Sequence, residues 1–384
     1  MSLNTPGVIL FVINDAPFFL SHRLPLAQAA RDAGYDVHVA APDCLEVKRI
    51  LAEGLSYHSI PVSRWGTHVL QDANTIWSLF RLYKKLKPQI IHHVTIKPVL
   101  YGSLAARWAK VPSVVNAVPG LGHVFVAQGI KARILRELVK GAYRLFLRHR
   151  RLKVIFQNPD DMHLFVDSGI VAGGNALLIK GAGVDTDYYH STPLPETTPV
   201  VIMASRLLWN KGVGEFVAAA NRLKAQGVVA RFALVGEPEA GNPAAVPIEQ
   251  LKAWVDEGRV EWWGRRIDMP VVFAQSNVVC LPSYYPEGVP KVLIEAASCG
   301  RAIVTTDTPG CREIVGNHEN GLLVPPRDVE ALAAALQCLI EDRAVCERMG
   351  RKGREIVIGA FSLEQVIGDT LQLYRTLLND NANA

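Results

Sequence analysis

Two carboxylates eight positions apart, Glu287 and Glu295, stand in the stretch YPEGVPKVLIEAASCG from Tyr285 to Gly300. Carboxylates are good hydrogen-bond acceptors, so such a pair suits the hydroxyls of ribose and sugar rings. The apolar run VVCLPS predicts a buried parallel strand before the stretch, and VLIEAASCG predicts a helix closed by Gly300. Glu287 then sits on the loop at a strand's carboxyl end, with Glu295 in the helix that follows. Open α/β sheets bind ligands in that crevice, where helix N-termini favour anions. The alternative is a Lys291–Glu295 surface pair at i, i+4, with Glu287 a solvated loop residue.

A second set lies upstream. SRLLWNKG, Ser205 to Gly212, follows the apolar strand VVIMAS and puts Arg206 and Lys211 at the mouth of the next helix. Two cations beside helix amides suit a diphosphate; a basic loop without a ligand is the alternative.

With these two motifs in this order the chain resembles the retaining, nucleotide-sugar-dependent glycosyltransferases of family four. The resemblance runs from Val8 to about Leu378 and implies an α/β fold of the GT-B type, two facing Rossmann-like domains with an interdomain cleft. In that family R-x4-K and E-x7-E segments line the donor site. The resemblance implies that Arg206 and Lys211 hold the donor diphosphate, Glu295 the ribose and Glu287 the hydroxyls of the transferred sugar. The backbone around Gly288, Val289, Lys291 and Val292 would assist at the diphosphate, and Arg265, with Arg266, in GRRIDMP would border the base. Pro290 stands where the family usually has glycine, which removes one backbone N–H; Lys291 is expected to compensate by binding phosphate. Asn116 occupies a position where a histidine near the donor sugar is common, and an amide can hydrogen-bond a hydroxyl there without carrying a proton.

Ser21, His22 and Arg23, after the strand VILFVIND, offer hydroxyl, imidazole and guanidinium groups at a strand's carboxyl end; the alternative is a helix cap beside a surface arginine. That loop lacks GxGxxG, which argues against a dinucleotide fingerprint. Lys97 in TIKP lies past another strand end, where a cation could meet a phosphate or simply be solvated. The segments TIKPVLYGSLAAR and VNAVPGLGHVF resemble a bacterial branch that extends polyprenyl-diphosphate-linked oligosaccharides, making Gly120, Gly122 and His123 further acceptor-binding candidates. His92 and His93 are adjacent on a strand and point to opposite faces, so shared metal ligation is not expected.

Those residues need elements to hold them. At 384 residues, 49% hydrophobic and 20% charged, the chain can build two cores of ordinary size. We expect an acceptor-binding domain over 1–189, a linker over the Pro- and Thr-rich 190–199, and a nucleotide-sugar domain over 200–360. By resemblance, 361–384 is a helix crossing back to the first domain, with a disordered Asn-rich tail. Six scattered cysteines show no metal-ligand spacing, so neither disulfides nor zinc is expected, and Cys311 reads as structural. No apolar run is long enough for a transmembrane helix or a signal core, which predicts a cytoplasmic protein.

From Lys131 to Lys153 nine Lys/Arg stand against Glu137, a local +8 that exceeds the +5 of the whole chain. Ile134, Leu138, Ala142, Leu145 and Phe146 recur at helical spacing, predicting an amphipathic basic helix. The absence of a nucleic-acid-binding motif argues against nucleic acid as the partner. The remaining readings are an ordinary domain helix or one docked on the anionic inner leaflet of the cytoplasmic membrane, where a lipid-linked acceptor is presented.

The expected reaction moves a sugar, by branch resemblance an N-acetylhexosamine, from a UDP-sugar to a lipid-diphosphate-linked saccharide. No cofactor, metal or general base is assigned; the UDP-sugar is a substrate. A UDP-sugar 2-epimerase and a non-catalytic sugar-nucleotide-binding subunit are the competing readings.

Overall fold

The computed structural model describes residues 7–63, 69–120, 129–285 and 287–382. The chain divides into two compact units, one of 1–182 with 364–384 and one of 183–363.

The first unit is built on β1 (Val8–Ile13), β2 (Asp36–Ala41), β3 (Ser56–Ser59), β4 (Ile90–Val94), β5 (Ser113–Val118), β6 (Leu152–Phe156) and β7 (Ala176–Leu178). All are parallel, in the spatial order β3-β2-β1-β4-β5-β6-β7. β1 is wholly apolar, and β4 and β5 are buried along their whole length, because helices cover both faces of such a sheet. The helices are α1 (Ala16–His22), α2 (Leu24–Asp32), α3 (Val47–Ala52), α4 (Val69–Leu86), α5 (Ser103–Ala109), α6 (Ile130–Phe146) and α7 (Pro159–Asp167). α1, α2 and α3 contribute to the core on one face, and α4, α5, α6 and α7 to the core on the other. Helix starts are chemically marked: Asp15 accepts from Phe18 N at 3.4 Å, and Asn158 from Asp161 N at 2.8 Å ahead of Pro159.

The second unit repeats the design with β8 (Val200–Ala204), β9 (Arg231–Val235), β10 (Glu261–Trp262), β11 (Val278–Leu281), β12 (Ala302–Thr306) and β13 (Gly321–Val324). Its order is β10-β9-β8-β11-β12-β13, again all parallel. The helices are α8 (Val213–Ala225), α9 (Ile248–Asp256), α10 (Met269–Ala274), α11 (Lys291–Ser298), α12 (Pro309–Arg312), α13 (Val329–Glu341) and α14 (Arg343–Ala360). In both sheets strand order reverses beside the first strand, between β1 and β4 and between β8 and β11. Loops leaving those strands diverge and open a crevice there.

The last helix, α15 (Leu363–Ala382), returns to the first unit, where Val366, Tyr374 and Leu377 are buried against the α1 and α2 face. The Asn-rich end expected as a disordered tail continues this helix to Ala382. The passage between units falls at 182/183 and 363/364 rather than in 190–199. Residues 192–195 are fastened to the second unit: Arg301, fully buried, donates to the Thr192 carbonyl at 2.9 Å, and Arg343 to the Leu194 and Pro195 carbonyls at 2.9 and 2.7 Å. Val184 bridges Ser362, so the strands entering and leaving the second unit lie side by side.

Two sequence expectations change. The basic helix stops at Phe146, so Arg148, Arg150 and Arg151 follow it and Lys153 lies on β6. Its predicted apolar stripe does not face the core. Ile134, Leu138 and Leu145 are 58%, 67% and 51% exposed, while Tyr143 and Val139 pack inward. Among the described residues no helix is long and apolar enough to cross a membrane.

Candidate active site

The second unit's switch point brings together residues from two motifs distant in sequence. β8 and β11 are neighbours, so the loops after them meet. A 3-10 turn, Trp209–Lys211, follows β8, and the Asn210 carbonyl accepts from Tyr284 N at 3.2 Å and from Ser283 Oγ at 3.3 Å. Lys211 Nζ forms an ion pair with Glu287 Oε2, both side chains being largely buried, and Ser283 Oγ donates to Glu287 Oε1 at 2.7 Å. Both carboxylate oxygens are thereby fixed.

Two glycines permit this approach. Gly212 has a left-handed φ of 85°, and a Cβ there would lie 2.2 Å from the Pro282 carbonyl oxygen. A Cβ on Gly310 would lie 1.7 Å from the Gly288 carbonyl oxygen. The loop carrying Glu287 is therefore packed backbone to backbone from both sides.

Glu295 projects from α11 into the protein and is only 8% exposed. Burial raises its pKa, against the smaller opposing pull of Lys291 and of a hydrogen bond from Tyr189. Tyr189 Oη donates to Glu295 Oε1 at 2.9 Å, and Lys291 Nζ is 3.4 Å from the same oxygen. The i, i+4 pair weighed from sequence is therefore present, on a carboxylate that is not a surface group. α11 has no side-chain cap at Pro290, and Leu293 N donates to the Pro290 carbonyl at 3.0 Å; Gly288 and Val289 are buried just ahead of the helix and Val292 is half-buried.

Of the remaining donor candidates, Arg206 is about half exposed and donates to Glu239 Oε2 at 2.6 Å, so it pairs with a β9-side carboxylate and not with Glu287. Arg265 is exposed, and Arg266 is tied to Asp268 by bonds of 2.8 and 2.5 Å. Asn116 belongs to the first unit's core: fully buried on β5, its Oδ1 lies 2.7 Å from His93 Nδ1 and its Nδ2 donates to Ser103 at 2.9 Å. Both ends of the amide are used within the first unit. Cys311 is buried and accepts from Thr305 Oγ1 at 3.1 Å; burial raises its pKa, as a structural thiol requires.

At the first unit's switch point Thr95, after β4, donates to Asn14 Oδ1, after β1, at 2.6 Å. Thr95 has φ of 75°, a costly conformation for a β-branched residue and one that clusters at functional sites. Ser21 is exposed, donates to carbonyls of its own helix at 3.0 and 3.2 Å, and lies 2.7 Å from His22 Nδ1. Arg23 is not presented at the surface. It is 5% exposed between α1 and α2, beside His92 and Tyr374, and its Nε and His92 Nε2 find no hydrogen-bond partner among the described residues. Lys97 is engaged by Ser63 at 2.7 Å and Asp72 at 3.4 Å. Gly120 follows β5, whereas Gly122 and His123 lie outside the described residues. His92 and His93 do point to opposite faces, His92 to Tyr374 Oη at 2.5 Å and His93 to Tyr83 Oη at 3.0 Å.

Tyr189, Ser283, Glu239 and the Asn14–Thr95 pair were not found by sequence reasoning. Ser283 was within reach, standing at the carboxyl end of a predicted strand four residues before Glu287. Tyr189 carried no signal, since its contact spans 106 positions. Among the described residues no group of three or more His, Cys, Asp or Glu side chains could hold a metal ion.

Two parallel Rossmann-like sheets, with cations and carboxylates at the second switch point, define a GT-B glycosyltransferase. Residues 8–158 match the glycosyl transferase 4-like family and residues 185–356 the glycosyl transferases group 1. The chain belongs to this glycosyltransferase family. It is 29% identical to N,N'-diacetylbacillosaminyl-diphospho-undecaprenol alpha-1,3-N-acetylgalactosaminyltransferase of Campylobacter jejuni, over 84% of this chain and 89% of that enzyme. It is 24% identical to UDP-Gal:alpha-D-GlcNAc-diphosphoundecaprenol alpha-1,3-galactosyltransferase of Escherichia coli, over 88% and 89%. A solved glycosyltransferase from Rickettsia africae has the same fold, with a TM-score of 0.79, 19% identity, and coverage of 97% of this chain and 99% of that one.

Proposed function

We propose that this enzyme transfers a hexose or N-acetylhexosamine from a UDP-sugar to a polyprenyl-diphosphate-linked saccharide in glycan biosynthesis. The observation that carries the reading is the meeting of Lys211 and Glu287 at the second switch point, where a nucleotide-sugar diphosphate and its sugar would lie. The choice of substrates rests on the two relatives, both named for transfer to undecaprenyl-diphosphate-linked sugars.

The chemistry needs a stabilised leaving group above all. Lys211, with Arg206 and the positive N-terminal end of α11, supplies positive charge for a departing diphosphate, the role fixed donors perform best when prearranged. Glu287, held by Ser283 and Lys211, accepts from sugar hydroxyls, and Glu295 accepts from the ribose. Arg265, on an exposed loop, is the candidate neighbour of the base. Reaction on the donor's front face retains configuration, with the leaving phosphate taking the acceptor proton, so neither general base nor metal is required. On the first unit Ser21, Lys97 and Gly120 remain candidates for the acceptor.

The exposed apolar stripe of α6, Ile134, Leu138 and Leu145, beside the exposed Arg133 and Arg144, supports docking on an anionic membrane surface, in keeping with a cytoplasmic-face enzyme. Arg144 also donates to the Ser168 carbonyl at 3.0 and 2.7 Å, so the stripe itself is the cleaner target. Ile134→Ser with Leu138→Ser should abolish sedimentation with phosphatidylglycerol vesicles; unchanged sedimentation refutes docking.

A panel of nucleotide sugars incubated with an undecaprenyl-diphosphate-linked monosaccharide tests the main reading. Extension of the acceptor with one nucleotide sugar is expected. A new epimer formed from UDP-N-acetylhexosamine alone would replace transfer by epimerisation.

A further inference from the structure

Tyr189 lies in the segment that enters the second unit, and it is held at every end. Its amide donates to the Asp185 carbonyl at 2.9 Å; its carbonyl accepts from Ser298 Oγ at 2.7 Å and Arg354 Nη1 at 3.1 Å. The ring lies against Phe273 with centroids 6.3 Å apart and meets Tyr188 edge-on at 5.0 Å. So constrained, its hydroxyl reaches one acceptor, Glu295 Oε1, at 2.9 Å. Lys291 approaches the same oxygen.

Such convergence has a consequence for a diol-reading carboxylate. A carboxylate on a glutamate side chain has three rotatable bonds before it, and contact with two vicinal hydroxyls demands one orientation. Pinning Oε1 from the protein side fixes the plane and leaves Oε2, with its two lone pairs, to accept from both hydroxyls. A phenol suits this task because it brings one donor and no charge. Burial and the neighbouring carboxylate raise the Tyr189 pKa far above neutrality, so it stays a donor at all working pH values.

We propose that Tyr189 is a positioning residue for nucleotide recognition, its hydroxyl orienting Glu295 so that the enzyme discriminates a ribose diol from a deoxygenated sugar. The proposal rests on the reading of Glu295 as the ribose ligand.

The experiment measures calorimetric affinities of the full chain for UDP and 2′,3′-dideoxy-UDP, with Tyr189→Phe, Glu295→Gln and, as a control on the exposed neighbouring ring, Tyr188→Phe. Removing one hydrogen bond to a charged group should weaken UDP binding by Tyr189→Phe about tenfold. Dideoxy-UDP binding should change less than about twofold, because the contact that Tyr189 orients is absent from that ligand. In turnover the variant should raise KM for the donor with kcat retained. Tyr188→Phe should leave both affinities at the wild-type value. Equal losses on both nucleotides, which a packing defect would produce, overturn the proposal, and so does no loss on UDP. If Glu295→Gln keeps the wild-type preference for UDP over the dideoxy nucleotide, the ribose reading of Glu295 has failed and the proposal falls with it. If Glu295→Gln loses that preference while Tyr189→Phe keeps it, only the Tyr189 proposal has failed.

Discussion

Asn14 and Thr95 meet where β1 and β4 part; Lys211 and Glu287 meet where β8 and β11 part. The two sheets share one winding order, so topology brings the loops together in each case, and the difference lies wholly in the side chains delivered. One crevice has a neutral pair on a strained threonine; the other has an ammonium and a carboxylate, with a hydroxyl and close-packed glycines behind them. The fold chooses the place and the loop residues choose the ligand. The charged crevice suits a pyrophosphate that must leave, and the neutral one a hydroxylated molecule that must be oriented. The buried interiors differ too. The first unit encloses His92 and His93, whereas the second unit's His190 and His318 are exposed.

The comparison can be broken most directly at the charged pair. Lys211→Ala should lower kcat/KM on the order of a thousandfold, the scale of removing a fixed donor from a developing anion. Donor titration and single-turnover rates check it; a loss under tenfold would remove Lys211 from leaving-group stabilisation. Thr95→Ala should cost about tenfold and act on KM for the acceptor, with donor affinity unchanged. A donor effect instead would erase the division between the two switch points.

Gly310→Ala tests whether the charged crevice depends on its packing. The added methyl has no room against the Gly288 carbonyl, and overpacking of this kind costs about 2 kcal/mol. Denaturant unfolding should show that loss in the second unit, together with reduced turnover. Unchanged stability would mean the loop can give way.

Acid should find the first unit before the second. Burial holds the His93 pKa down to about 3 and lowers that of His92, with Arg23 adding to the effect on His92. The unfolded chain's histidines bind protons near pH 6.5, which the folded pair refuses. Stability is therefore full above about pH 6.5 and is lost as pH falls below it, by up to about 1.4 kcal/mol per pH unit for each histidine. Hydrogen exchange between pH 5 and 7.5 should show the first unit opening more readily at the acid end; equal slopes in both units would refute the assignment. The smallest effect is expected at Lys291, whose loss should raise the donor KM about threefold, because part of its charge is already committed to Glu295.

Much of this was legible in the sequence, for reasons that particular residues expose. Continuous apolar runs such as VVIMAS and VVCLPS encode strands buried on both faces, and they fix where the following loops emerge. Lys211 and Glu287 could thus be placed at strand ends from spacing alone. Their mutual contact could not, because adjacency of β8 and β11 depends on sheet order. The burial of Asn116 beside His93 was not legible for a related reason. A strand covered on both sides gives no alternation to say whether an amide faces a ligand or a core histidine. α6 misled differently: its helical period was correct, but period alone does not say which side meets the core. Its stop at Phe146 had no glycine or proline to announce it.

The bridge between Val184 and Ser362 reaches beyond local pairing. Val184 N donates to the Phe361 carbonyl at 3.0 Å, and Leu363 N donates to the Val184 carbonyl at 2.9 Å. A segment whose two ends are clasped in this way is an insertion that closes on itself. Residues 183–363 can therefore be cut out as a single piece with neighbouring termini, and grafted or permuted with little loop entropy to supply.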